Sequence, residues 1–209
     1  MSETQRVSDV LRQMILIGEI APGERLKVEE LKSRLGAGAT PIREALSLLT
    51  SDQLVERLEQ RGFRAAAASR ENFDEIFRLR CQLEVNALTE SIKRGSEAWE
   101  ENLLLAHHRL SKVPRQDTQR FEHLHKLFHM ALLDACASPI LLRYCSQLYD
   151  LNIRYRHLAG KTVNYGKRDV GAEHREILDA VIARDTDHAA SALIDHYEQT
   201  GRLLSNQFN

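Results

Sequence analysis

The segment GATPIREALSLLTSDQLVERLEQRGFRAAAA, Gly38–Ala68, contains a short amphipathic helix and, directly after it, two short extended runs around a turn. Thr40 can cap the helix, Pro41 suits its first turn, and Ile42, Ala45, Leu46 and Leu49 make one apolar stripe. This predicts a helix over residues 38–55 and a β-hairpin, or wing, over residues 55–68 that turns at Gln60, Arg61 and Gly62.

Upstream, Val7, Val10, Leu11, Met14 and Ile17 repeat at helical spacing until Gly18 and the turn APGERL stop the helix. A second short helix, VEELKSRLG, is expected to carry Val28, Leu31 and Leu35 inward and to end at Gly36. Helix, helix, helix, wing is the order of a winged helix-turn-helix. From Arg70 onward the chain reads as helix throughout. Six segments are expected: Arg70–Arg94, Ser96–Lys112, Thr118–Ala135, Pro139–His157, Ala172–Ala183 and Asp187–Gln207.

Composition agrees with a mainly α protein of one large or two small domains. The 209 residues include only four Pro and ten Gly, with 6% aromatics. No apolar run approaches the roughly 20 residues that span a bilayer, and the start MSETQRVSDVL has no apolar signal region, so a cytoplasmic protein without membrane contact is expected. Cys81, Cys136 and Cys145 are widely spaced and lack a C-x-x-C pair, which points to reduced, buried thiols. Net charge is −1, and residues 1–69 hold ten Lys or Arg against ten Asp or Glu. A basic footprint for nucleic acid must then come from Arg43, Arg57, Arg61 and Arg64 gathered on one face.

The stretch FEHLHKLFHMALLDAC places His123, His125 and His129 on one helix. His125 and His129 differ by only about 40° around the axis and can meet one ion, whereas His123 lies roughly 160° from His125. His123, His107 and His108 are expected at the surface. A zincin-type hydrolase needs H-E-x-x-H, and here the residues between His125 and His129 are Lys126, Leu127 and Phe128. The general base is absent, as are the G-x-S-x-G, Walker and G-x-G-x-x-G motifs, so the chain is not expected to be an enzyme.

GEIAPGERL, GATPIREALSLL, LVERLEQRGF, EIFRLRCQLE and EHREILDAVIARD together resemble the GntR family of bacterial transcription regulators, FadR subfamily, over nearly the whole chain. The resemblance implies a winged helix-turn-helix DNA-binding domain over residues 1–69. It also implies an antiparallel six-helix bundle over residues 70–209, the FCD-type effector and dimerisation domain in its VanR-like form. The third helix would enter the major groove of a palindromic operator, and the wing the neighbouring minor groove, with Thr40, Arg43, Arg61 and Gly62 at matching positions. Ser-Arg of many relatives is replaced here by Gly38-Ala39, and an Arg on the second helix of some by Glu29, so those base contacts do not transfer.

In such FCD domains the metal site combines D-x3-H with one His on each of the last two helices. The matching residues are His125, His129, His174 and His196, with His125 standing where the family has Asp. Four imidazoles suit a divalent transition metal, zinc first and nickel second, better than magnesium or calcium. His125 either binds the ion or sits beside it. Arg80 matches an Arg on the first FCD helix that can clamp the carboxylate of a small organic acid effector; the alternative is an intrahelical pair with Glu84. The resemblance thus implies a homodimeric regulator, a repressor, whose operator affinity an effector controls. The alternatives are a metal-binding protein-interaction module without DNA and, further off, a metal-dependent enzyme.

Overall fold

In the computed structural model, residues 1–114, 117–159 and 168–205 are described. The elements in chain order are α1 (Glu3–Leu16), β1 (Arg25–Leu26), α2 (Val28–Leu35), α3 (Ala39–Ser51), β2 (Val55–Leu58) and β3 (Gly62–Ala65). There follow α4 (Arg70–Arg94), α5 (Glu97–Ser111), α6 (Thr118–Leu133), a 3-10 turn (Asp134–Cys136), α7 (Pro139–Ala159), α8 (Val170–Ile182) and α9 (Thr186–Ser205).

The chain divides into two compact units, the first holding Met1–Phe73 together with the second half of α7 from Asp150. That unit thus takes in residues 70–73 and part of α7 beside residues 1–69. The Arg154 guanidinium donates to the carbonyls of Ala66 and Ala67, and the Tyr155 hydroxyl donates to Asn72 Oδ1 at 2.7 Å, so α7 is tied to the segment after the wing.

In the first unit Ser2 caps α1 by accepting from the Gln5 amide, and Gly36 ends α2 in the left-handed region at φ 59°. The stripe of α3 is as expected: Ile42, Ala45, Leu46 and Leu49 are fully buried. They meet Val7, Leu11 and Ile15 of α1, also fully buried. Three expectations need correction. Val10 of α1 and Ile17, its C-cap, are exposed while Ile15 and Leu16 are buried, so the inward stripe is rotated. Gly38, not Thr40, occupies the α3 N-cap, and Thr40 lies inside the first turn. The helix also stops at Ser51, because Gln53 takes a positive φ of 60° and sends Leu54 into the core.

The wing is antiparallel, with Val55 opposite Ala65 and Leu58 opposite Gly62. The structure adds β1, which pairs Leu26 with Phe63 and makes the sheet three-stranded in the order β1-β3-β2. Two residues are too short a run to show the period-2 signal of a strand.

The second unit is the helical bundle, α4 to α6, the first half of α7, α8 and α9. Its core joins Leu88, Leu103, Phe128, Leu132, Ile177, Val181 and Leu193, all fully buried. Ser96, Asp117 and Asp169 cap α5, α6 and α8 through their side chains. Trp99 donates its indole N–H to the Ala131 carbonyl at 2.8 Å, locking α5 to α6. Gly95 makes that placement possible: a Cβ there would run into the Trp99 ring and stand 2.8 Å from the Ser91 carbonyl oxygen. Gly95→Ala is therefore expected to cost about 1–3 kcal/mol by overpacking. Urea denaturation followed by Trp99 fluorescence checks this, and an unchanged midpoint would remove the steric argument.

Candidate functional site

Two groups of residues stand out, one in each unit. In the first unit Thr40 and Arg43 are exposed on the opening turns of α3, on the side away from the buried stripe. Arg61 and Gly62 are exposed where the wing turns; Gln60 there has φ 54° and Gly62 has φ 87°. Arg43, Arg57 and Arg61 form no ion pair among the described residues, whereas Lys27, Lys32 and Arg34 pair with Glu30, Glu29 and Glu19. Arg64 differs from its neighbours, since its Nε donates to Glu56 at 2.7 Å. Arg43 on α3 and Arg57 and Arg61 in the wing are thus not neutralised within the unit, and Arg25 on β1 likewise has no ion pair among the described residues.

In the second unit α6, α8 and α9 bring His125, His129, His174 and His196 together, all buried, with one nitrogen of each within 4.8 Å of the others. His125 Nε2 and His129 Nε2 are 3.2 Å apart. Two nitrogens on one tetrahedral zinc lie about 3.3 Å apart, given Zn–N bonds of ~2.0–2.1 Å. The His125–His129 pair therefore already stands at zinc spacing, and the four-histidine donor set suits a transition metal on which the wider pairs would close.

The opposite ring nitrogens are anchored in the way metal-bound imidazoles require. Nδ1 of His125 meets the Tyr149 hydroxyl at 2.5 Å, and Nδ1 of His129 meets the Tyr197 hydroxyl at 3.0 Å. Nδ1 of His196 donates to Glu173 Oε2 at 2.7 Å, and Glu173 also takes a fork from Arg168 at 2.6 and 2.5 Å. Burial alone would raise the Glu173 carboxyl, but the hydrogen bonds from His196 and Arg168 outweigh it and hold the carboxyl down to about 2. His174 packs among these rings, 4.7 Å from His196 and 5.1 Å from Phe128 by ring centroids.

Sequence reasoning did not single out Tyr149, Arg168, Glu173 or Tyr197. A signal existed for two of them: Glu173 precedes His174 directly, and Tyr197 follows His196. His123 and His108 are exposed as expected, but His107 is buried, its ring edge-on to Phe128 at 5.4 Å. Burial first, and then the nearby Arg175 charge, push its pKa down. A cavity of about 440 Å³ lies here, lined by His107, Leu110, Val113, Phe121, Val170 and His174, so it reaches one member of the histidine cluster.

Arg80 pairs with Glu84, Nε to Oε1 at 2.7 Å and Nη2 to Oε2 at 3.3 Å, with both side chains buried. Of the two readings open for Arg80, the intrahelical pair is the one present. The three cysteines are free, Cys136 and Cys145 buried and Cys81 half-buried. Burial pushes the Cys81 thiol up to about 11 and Cys145 up to about 12, which leaves both protonated at neutral pH.

Residues 3–64 match the family described as bacterial regulatory proteins, gntR family, and residues 75–199 match the FCD domain. The chain belongs to the GntR family of regulators. It is 34% identical to the HTH-type transcriptional repressor GlaR of Escherichia coli (strain K12), over 89% of this chain and 88% of GlaR. It is also 34% identical to the HTH-type transcriptional regulator BphR of Paraburkholderia xenovorans (strain LB400), over 91% of this chain and 80% of BphR. E. coli McbR/YncC superposes with a TM-score of 0.86 over the whole of both chains at 25% identity.

This GntR regulator has the winged helix-turn-helix and the helical bundle that its sequence predicts. Its families and relatives are transcriptional regulators, not enzymes. Among the described residues no helix is long and apolar enough to cross a membrane.

Proposed function

We propose that this regulator represses transcription by binding a palindromic operator as a homodimer, and that a metal site with a small organic acid effector controls its operator affinity. The observation that carries the sensing half is the buried four-histidine cluster, three of whose rings are oriented by hydrogen bonds at Nδ1. His125, His129, His174 and His196 would hold the ion, zinc first and nickel second. When bound, such an ion supplies a Lewis-acid position for a carboxylate oxygen. The chain's own part is to keep the site dry and to offer space beside it, which the cavity at His174 provides. Binding controls DNA only through a difference in effector affinity between two arrangements of the dimer. GlaR, a relative named as a repressor, supports the direction of control.

For DNA, the free face of α3 offers Thr40 to a phosphate and Arg43 to a guanine edge, while Arg61 and Gly62 lead the wing. A fluorescence-anisotropy titration of DNA from upstream of the regulator's own gene, with a competitor duplex at ~0.1 M salt, tests this half. Arg43→Ala is expected to weaken specific binding more than about tenfold, in keeping with the roughly 1–3 kcal/mol carried by one bidentate base contact. Log affinity should also fall steeply with log salt, because phosphate contacts release counterions. Equal affinity of mutant and wild type would remove Arg43 from the contact list. An affinity that ignores salt would favour a protein-docking role for the N-terminal helices. For the sensing half, small dicarboxylic and monocarboxylic acids are added to the zinc-loaded complex, and an operator affinity that none of them changes removes the effector scheme.

A further inference from the structure

For His125 and His129 to bind one ion, each ring must keep its proton on Nδ1 and present the Nε2 lone pair. We infer that Arg80, Glu84, Tyr149 and Tyr197 form a support that fixes this state at His129 and orients the His125 ring, so that Arg80 acts as a positioning residue for the metal site. The inference rests on the metal reading above.

The proton count in this network leaves one solution for His129. The Tyr197 hydroxyl carries a single proton and donates it to Glu84, a carboxylate that only accepts. The buried Arg80 donates to both oxygens of Glu84, which leaves them as acceptors. The Tyr197 oxygen can then only accept from His129 Nδ1, 3.0 Å away. His129 Nδ1 must carry the hydrogen, and its Nε2, facing His125 Nε2 at 3.2 Å, carries the lone pair.

Tyr149 contacts His125 at Nδ1, 2.5 Å away, and so orients the ring with Nε2 toward the shared ion position. One cation joins the two supports: the Arg80 guanidinium carbon lies 4.3 Å from the ring centroid of Tyr197 and 5.1 Å from that of Tyr149. Arg80 and Glu84 belong to α4 and Tyr149 to α7, two helices that contribute none of the four histidines. The support therefore makes metal affinity depend on where α4 and α7 sit against the ligand-bearing helices.

The test uses the full chain as wild type, Tyr197→Phe and Tyr149→Phe, each stripped and then titrated with zinc against a chromophoric chelator. The cobalt(II) absorption spectrum and the metal-free melting temperature are recorded in parallel. Each substitution keeps the ring and removes only the hydroxyl. Zinc affinity should fall about 10–100-fold, the usual effect of losing an outer-shell partner, and the cobalt bands should shift. A role in packing alone would lower the metal-free melting temperature and leave zinc affinity and the cobalt bands unchanged. Zinc affinity within twofold of wild type in both variants, with the same cobalt spectrum, would overturn the inference. Should Tyr197→Phe fail to fold, Tyr149→Phe decides alone. A wild-type chain that takes up no zinc would bring down the metal reading and this inference together, which separates that failure from the first.

Discussion

Glu84→Gln is expected to destabilise the helical bundle by about 3–5 kcal/mol, because it leaves a buried guanidinium without its counter-charge. Arg80 is 6% exposed and Glu84 2%, so water cannot replace the lost partner. Burial alone would lower the pKa of Arg80, but Glu84 outweighs burial and raises it, so the charge stays on Arg80. The glutamine also puts an amide N–H₂ where the carboxylate accepted from both Arg80 and Tyr197. An exposed pair such as Lys93–Glu90 makes the contrast, since there water can take the place of the lost partner. Trp99 is the chain's single tryptophan and lies in the bundle, so its fluorescence in a urea titration reports this unit. A loss below ~1 kcal/mol would mean that Arg80 finds a new partner or water, and that the pair carries little of the bundle's stability.

The second large effect is expected from metal removal. At free zinc a thousand times its dissociation constant, binding to the folded state alone contributes about 4 kcal/mol. For a bundle of this size that corresponds to a fall of roughly 10 °C in Tm on chelation. The coupling is strong because the four ligands come from three helices, α6, α8 and α9, which one ion would staple together. His174→Ala should abolish the zinc-dependent part of the shift while the stripped protein still melts cooperatively. Differential scanning calorimetry of loaded and stripped samples decides. If zinc raises Tm equally in wild type and His174→Ala, the ion binds somewhere other than this cluster.

Much of the architecture is legible in the chain because it depends on local periodicity. The apolar stripe of α3, the stop at Gly36 and the hairpin after Val55 each depend on neighbours within a few residues. The helices of the bundle begin and end near the positions expected from their breaks and caps. The i,i+4 relation of His125 and His129 follows from helical geometry and is realised as two nitrogens 3.2 Å apart.

Other features depend on partners distant in the chain. Val10 and Ile17 satisfy a helical stripe as well as Ile15 and Leu16 do, and tertiary packing, α3 against α1 included, selects the second pair for burial. His107 looks like His108 in the sequence, yet the packing of α5 on Phe128 buries one and leaves the other in water. The two-residue strand β1 exists because β3 offers it an edge.

Local pattern in the chain thus predicts the mainly helical class, the order of the helices, the wing and the His125–His129 pair, while His174 and His196 join that pair only through the family resemblance. Tertiary structure alone decided that those histidines converge and that Tyr149, Glu173 and Tyr197 orient them. It also pairs Arg80 with Glu84 inside the bundle. The reason is the range of the interactions: turns, caps and helical faces are set within a few residues, while His125 meets Tyr149 across 24 positions and Tyr197 meets Glu84 across 113.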